Sequence, residues 1–266
     1  MRAAVVGFQI AVTDADTMIM STDTADASAP HDLAASRATG VHDTGTYDGE
    51  DRYFNHERPE LVALVPEGVR RVLDVGCGSG ALGAAVRRDR PGCTVTGIEW
   101  FEDALDRARG RLDEAWRIDL NSFEELPAEP GAFDAIVCGD VLEHLLDPER
   151  TLNALRPYLD TRGRLVISIP NVRHWSVIFP LLVHDRWEYT DAGLLDRTHV
   201  HLFTITEMAL MLGRAGYRVD AIDSVQMPMP DEMIPLSQLA LRMGAGEDIE
   251  IRLGAYQYLV SASRES

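Results

Sequence analysis

At 266 residues, 45% of them hydrophobic, the chain suits one large domain with a short additional segment, and it can bury a full core without disulfide or metal staples. Its formal charge is −18 and all 25 basic residues are arginine. With no lysine there is no Schiff-base amine and no phosphate-reaching lysine of a P-loop, which removes pyridoxal-phosphate, aldolase-type and Walker-type NTPase chemistry. So acidic a surface repels polyphosphate, so no nucleic-acid partner is expected, and the absence of an apolar run of about 18 residues argues against a membrane span.

Residues 1–45 are rich in Ala, Thr, Asp and Ser without sustained periodicity and read as a flexible N-terminal tail, with Met18 or Met20 as alternative starts. No small-residue cleavage site follows a sustained apolar stretch, so no secretory signal is expected and the compartment reads as cytoplasmic. Cys77, Cys93 and Cys138 show no CxxC spacing and read as reduced structural thiols. From Tyr47 an aromatic and charged run (Tyr53, Phe54, Asn55, His56, Arg58) leads into Pro59 and an apolar helical segment through Val65, expected to cover a ligand site.

Beyond Arg70 short β-branched runs alternate with helical stretches, which predicts a doubly wound α/β domain over 46–266 with helices on both faces of a largely parallel sheet. Strands are expected at 71–75, 94–99, 115–119, 132–138, 164–169, 218–225 and 256–262. Helices are expected at 81–88, 102–112, 148–159, 206–215 and 232–243. Residues 172–203 and 226–254 stand out as insertions.

Glycines Gly76, Gly78 and Gly80 follow the first of these strands and open a helix, in Val72-Leu-Asp-Val-Gly-Cys-Gly-Ser-Gly-Ala-Leu-Gly83. Such a turn lets backbone approach a ligand, and the helix N-terminus behind it favours an anionic group. The flanking acids decide the ligand. Asp74 ends the strand where a carboxylate holds an ammonium and repels a pyrophosphate. Glu99 ends the second strand, about 20 residues on, placed for ribose hydroxyls, and Asp119 ends the third, placed for an adenine amino group. Three acids at consecutive strand ends fit a cationic nucleoside better than a dinucleotide.

In order and spacing, "VLDVGCGSG", Glu99, "RIDL" and "FDAIVCGDVLEHL" resemble the class I S-adenosylmethionine (SAM)-dependent methyltransferases over roughly residues 47–263. The resemblance implies a seven-stranded Rossmann-like sheet of order 3-2-1-4-5-7-6 with the last strand antiparallel. It also implies SAM as cofactor, S-adenosylhomocysteine as product, and a cofactor-binding set of Asp74, Gly76, Cys77, Gly78, Gly80, Glu99, Trp100, Asp119, Leu120, Gly139 and Asp140. The arginine-only, alanine-rich composition points to a GC-rich bacterial genome.

The fourth strand runs into Asp140, Glu143 and His144, which gather where the methyl group would leave, and Leu195-Asp-Arg-Thr-His-Val-His-Leu-Phe203 supplies His199 and His201. Neutral imidazole accepts a proton near neutral pH, so His144 or His199 is the expected general base, alongside Asp140 and Glu143. Asp140, Glu143, His144 and His199 also resemble the metal-binding pattern of small-RNA 2′-O-methyltransferases, part of which ubiquinone-pathway O-methyltransferases share. A divalent metal is not the favoured expectation, because the Glu-His pair is frequent without one. Arg173, His174, Trp175, Arg197 and His201 are the expected acceptor-binding residues, in a largely apolar pocket.

The layout "IPN…DRTH…FT" resembles bacterial methyltransferases that act on small metabolites, sugars and glycan precursors. O-methylation of a small-molecule acceptor by a monomer or homodimer is therefore the expected function. N- or C-methylation, a nicotinamide-dependent oxidoreductase and a non-catalytic SAM-binding regulator are the alternatives.

Overall fold

The computed structural model describes residues 56–265, together with the backbone of Gln9–Asp14 and Thr17–Ser21. Those two short segments pair antiparallel as a two-stranded sheet, the first lying against the sixth strand of the main sheet. They fall in the stretch expected to be a loose tail, and they correct that expectation for these eleven positions. The rest of 1–45, and Tyr47, Tyr53, Phe54 and Asn55, lie outside the described residues.

The main sheet is built from β1 (Arg71–Val75), β2 (Thr94–Glu99), β3 (Glu114–Arg117), β4 (Phe133–Gly139), β5 (Leu159–Pro170), β6 (Tyr217–Gln226) and β7 (Ala255–Arg264). Its order is β3-β2-β1-β4-β5-β7-β6, with β7 antiparallel to both neighbours and the first five strands parallel. This is the expected topology. The strand order reverses between β1 and β4, whose ends pair Val75 with Cys138. Chains leaving adjacent strands there diverge to opposite faces and leave a crevice at the carboxyl edge.

Side chains alternate across this sheet, so each strand feeds two cores. Leu73, Ile136, Leu165 and Val260 pack on one face with Leu152 of α4 (Pro148–Leu155) and Met208 of α6 (Ile205–Arg214). Val72, Val95, Val137 and Val166 pack on the other with Leu61 of α1 (Pro59–Val62) and Val86 of α2 (Ala81–Asp89). Truncating one such buried Leu to Ala removes about 2–5 kcal/mol of stability. Between β2 and β3 runs α3 (Glu102–Arg109). Local chemistry sets the helix starts: the Asp147 carboxylate accepts the N–H of Arg150 ahead of Pro148, and the Thr204 hydroxyl accepts that of Glu207.

The insertions contain more helix than expected. α5 (Trp175–His184) occupies the first, and α7 (Ile234–Arg242) and α8 (Ile249–Gly254) the second. In α5 the run is apolar on every side and carries Pro180 inside, so amphipathic periodicity is silent and the proline argues for a break. Among the described residues no helix is long and apolar enough to cross a membrane.

Candidate active site

A cavity of about 680 Å³ opens at the carboxyl edge of the sheet, over the strand-order reversal. One end is built by the glycine turn after β1. Gly76 has φ +65°, and a Cβ there would stand 2.5 Å from Cγ2 of Val141. The bareness of Gly76 therefore lets the β4 turn close against the β1 turn, a contact within the protein rather than with a ligand. Gly80 does not line the cavity. It precedes α2 with φ +79°, and a Cβ there would meet Cα of Ala108 at 3.2 Å, so it serves helix packing and not, as expected, the cofactor directly.

Asp74 and Glu99 are buried in the cavity wall. Asp74 Oδ2 accepts the N–H of Gly83 (3.0 Å). Burial, reinforced by the nearby Glu99 and only partly offset by that N–H, pushes its carboxyl up to about 7. Glu99 accepts three backbone N–H groups, from Gly78 (2.9 Å), Trp100 (2.7 Å) and Phe101 (2.8 Å), and so ties the glycine turn to the end of β2. Trp100, half exposed, forms a rim with Arg117 stacked on its indole. Asp119 lines the cavity but also closes its own turn, accepting from Asn121 N–H and the Ser122 hydroxyl (both 2.9 Å). Cys77, Gly78, Leu120, Gly139 and Asp140 also line the cavity.

Asp140 has a left-handed backbone, φ +55°. Its carboxylate is held by the Arg58 guanidinium, by the Ser168 hydroxyl (2.6 Å) and by Nε2 of Gln257 (2.7 Å), and Arg58 in turn donates to Ser168 and Gln257. This network was not expected from the sequence. A signal existed: an antiparallel strand starts at the edge where parallel strands end, so the first residues of β7, Tyr256 and Gln257, had to reach the site.

Beyond Asp140 a short 3₁₀ turn, Leu142–His144, carries the next two residues. Its register against the loop 191–203 is fixed by the Glu143 carbonyl, which accepts the N–H groups of Val200 (2.8 Å) and His201 (3.0 Å). This brings the His144 and His199 rings edge to face at 4.8 Å. Burial lowers the pKa of both, which favours the neutral imidazole. Glu143 is fully buried, neither side-chain oxygen has a hydrogen-bond partner among the described residues, and burial pushes its carboxyl up to about 8. Ligand atoms of Glu143, His144 and His199 all lie within 4.8 Å of one another, close enough to share a divalent cation. Asp140, the fourth residue of the expected quartet, is instead engaged by Arg58, Ser168 and Gln257.

The structure corrects the acceptor side. None of Arg173, His174, Trp175, Arg197 and His201 lines the cavity. His174 is buried and caps α5, its Nδ1 facing the hydroxyl (2.8 Å) and N–H (3.3 Å) of Ser176, and burial lowers its pKa to about 4. Trp175 is the first residue of that helix, Arg173 N–H bonds Asn171 Oδ1, Arg197 pairs with Asp191 on the surface, and His201 Nε2 faces the Leu146 carbonyl. The wall is formed instead by Leu194, Asp196, Thr198, Pro170 and Tyr256.

This cavity suits SAM: two buried carboxylates flank a glycine turn whose backbone is already bonded to one of them, and among the described residues no unpaired arginine stands there to bind a pyrophosphate. A sequence profile described as "Methyltransferase domain" matches residues 47–222. A ubiquinone biosynthesis O-methyltransferase of Xylella fastidiosa is 34% identical over 168 residues, covering 61% of this chain and 66% of its own length. One from Xanthomonas axonopodis pv. citri is 34% identical over 180 residues, covering 65% and 73%. The chain thus spans about two thirds of the length of these relatives. A SAM-dependent methyltransferase from Mesorhizobium loti shares the fold at a TM-score of 0.54 and 20% identity, covering 81% of this chain and all of the other. One from Archaeoglobus fulgidus does so at 0.56 and 17%, covering 81% and 97%. With profile, topology and cofactor cradle in agreement, the chain belongs to the class I SAM-dependent methyltransferases.

Proposed function

We propose that the protein methylates a hydroxyl oxygen of a small molecule. The observation that carries this reading is the meeting of two imidazoles, His144 and His199, in the cavity beyond the glycine turn. Bound SAM supplies a methyl group on a positively charged sulfur. The chain's part is to hold the cofactor between Asp74, Glu99 and Asp119, to keep water out, and to take the proton that an attacking hydroxyl must lose. The names of the 34% identical relatives support oxygen as the acceptor atom. A nicotinamide dinucleotide is disfavoured by Asp74 beside the turn that would bind its pyrophosphate.

The test is formation of S-adenosylhomocysteine from SAM with phenolic, sugar and amine acceptors, with the methylated atom located by mass spectrometry and NMR. Methylation of amines alone would overturn the oxygen assignment, and tight SAM binding without turnover of any acceptor would favour a regulator.

A second reading rests on the convergence of Glu143, His144 and His199. One carboxylate and two imidazoles suit Mn²⁺ or Zn²⁺, which would polarise the acceptor hydroxyl. Turnover that survives exhaustive EDTA treatment excludes it, and turnover lost to EDTA and restored by either ion establishes it.

A further inference from the structure

Tyr256, the second residue of β7, lines the cavity together with Pro170 and Leu194. Its ring rests edge to face on His174, with centroids 5.4 Å apart, and His174 is fully buried and held by Ser176. The other end of the ring reaches the loop that carries His199. A Cβ on Gly193 would stand 2.9 Å from the Tyr256 hydroxyl oxygen, and Gly193 has φ +89°, so only glycine lets the loop pass so close. Thr190 closes that loop: its N–H donates to the Leu195 carbonyl (2.8 Å) and its carbonyl accepts from Arg197 (3.0 Å). The hydroxyl is thus fixed at both ends, by a buried ring behind it and a tied loop beside it.

It is also arranged as a donor. Burial raises its pKa and keeps the phenol protonated, while the Leu194 N–H faces its oxygen. Its hydrogen has no acceptor among the described residues, and its oxygen is not shut away from solvent as that of Tyr258, two residues on, is. A donor left over in the wall of a ligand cavity is matched by a lone pair on the ligand. Leu194 turns its N–H to Tyr256 and its carbonyl to Nδ1 of His199 (3.2 Å), so the hydroxyl and the imidazole stand at the two ends of one residue.

We infer that Tyr256 is a specificity-determining residue whose hydroxyl donates to a second oxygen of the acceptor, a few bonds from the hydroxyl that is methylated. The inference rests on the methyl-transfer reading and narrows its substrate class to small molecules that carry two such oxygens. An acceptor with a single hydroxyl leaves the Tyr256 hydrogen unpaired and binds less well. No bond breaks at Tyr256: it orients the acceptor and takes no part in the proton transfer.

The test uses the full-length protein loaded with S-adenosylhomocysteine, with catechol, which has two oxygens, and phenol, which has one, as probes. Calorimetry should show the wild type binding catechol about three- to tenfold more tightly than phenol. Tyr256→Phe keeps the ring on His174 and removes only the hydroxyl. It should weaken catechol by that same factor, leave phenol within about twofold and so erase the preference. Affinity for S-adenosylhomocysteine should stay within about twofold, which reports an intact fold and places the hydroxyl on the acceptor side. Equal losses for the two probes, no loss for catechol, a larger fall in S-adenosylhomocysteine affinity, or a wild type that does not bind catechol would overturn the inference. Because binding is read without turnover, its failure is distinguishable from failure of the methyl-transfer reading, which formation of S-adenosylhomocysteine from SAM tests separately.

Discussion

His144 and His199 come from opposite sides of the fold, one from the turn after the fourth strand and the other from the long insertion, yet their ring centroids are 4.8 Å apart. The Glu143 carbonyl makes this meeting reproducible by accepting two successive N–H groups of the loop that carries His199. Either ring can take the proton of an attacking hydroxyl. At least one of His144→Ala and His199→Ala should lower kcat by about 100-fold or more while the affinity for S-adenosylhomocysteine stays within about twofold. Single-turnover kinetics beside calorimetry reads both, and full turnover in both variants would contradict a histidine base.

Asp74 gives a pH dependence with a definite sign. In the empty protein its pKa is about 7, and a cationic ligand beside it favours the ionised form and lowers that value. SAM affinity should therefore be flat above about pH 7 and weaken as pH falls below it, by up to about tenfold per unit. Folding has the opposite sign. A carboxyl whose pKa is raised above its unfolded value of about 3.9 adds stability only at low pH, and that contribution is lost as pH rises through 7. Asp74→Asn should raise the melting temperature of the ligand-free protein more at pH 8 than at pH 5, and abolish the pH dependence of SAM binding while weakening it.

Acceptor charge is the next consequence. Among the described residues, six acidic side chains line the cavity (Asp74, Glu99, Asp119, Asp140, Glu143 and Asp196) against one arginine, Arg58, itself paired with Asp140; with Glu143 pushed up to about 8, the negative field comes from the other carboxylates. Low-dielectric walls concentrate such a field. Among catechol, dopamine and 3,4-dihydroxybenzoate, which share a ring and differ in charge, kcat/KM should be about tenfold or more lower for the benzoate than for the other two. Preference for the anionic acceptor in steady-state assays would contradict this account of the cavity.

Arg58 joins the segment before the first helix to Asp140, Ser168 and Gln257. Arg58→Ala leaves Asp140 without its counter-charge and should cost about 1–3 kcal/mol, a fall of several degrees in melting temperature. The loss should shrink in Arg58→Ala/Asp140→Asn, because the stranded charge is then gone. Additive losses in the two single variants would show that the pair contributes nothing jointly.

Much of this was legible in the chain. The strands read from β-branched runs fall where the structure has them, because central strands buried on both faces cannot avoid apolar residues. Asp74 and Glu99 were legible because strand ends of a parallel sheet all open on one crevice. Arg173, His174, Trp175, Arg197 and His201 misled for a physical reason: a polar or aromatic residue in an insertion satisfies helix caps and surface pairs as readily as a ligand, and sequence spacing does not distinguish these. Ser168 and Gln257 were invisible because what marks them is a partner contributed by a different element, and pairing of that kind appears only when the sheet closes. α5 was hidden by its own uniformity, since a helix apolar on every side has no period to read.

Isothermal titration calorimetry of the purified chain with SAM, with S-adenosylhomocysteine and with NAD bears most directly on the central claim, that buried carboxylates around a glycine turn hold a sulfonium nucleoside. The account predicts one-to-one binding of SAM and its demethylated product with micromolar dissociation constants and no heat with NAD. Binding of NAD without binding of either nucleoside would contradict it.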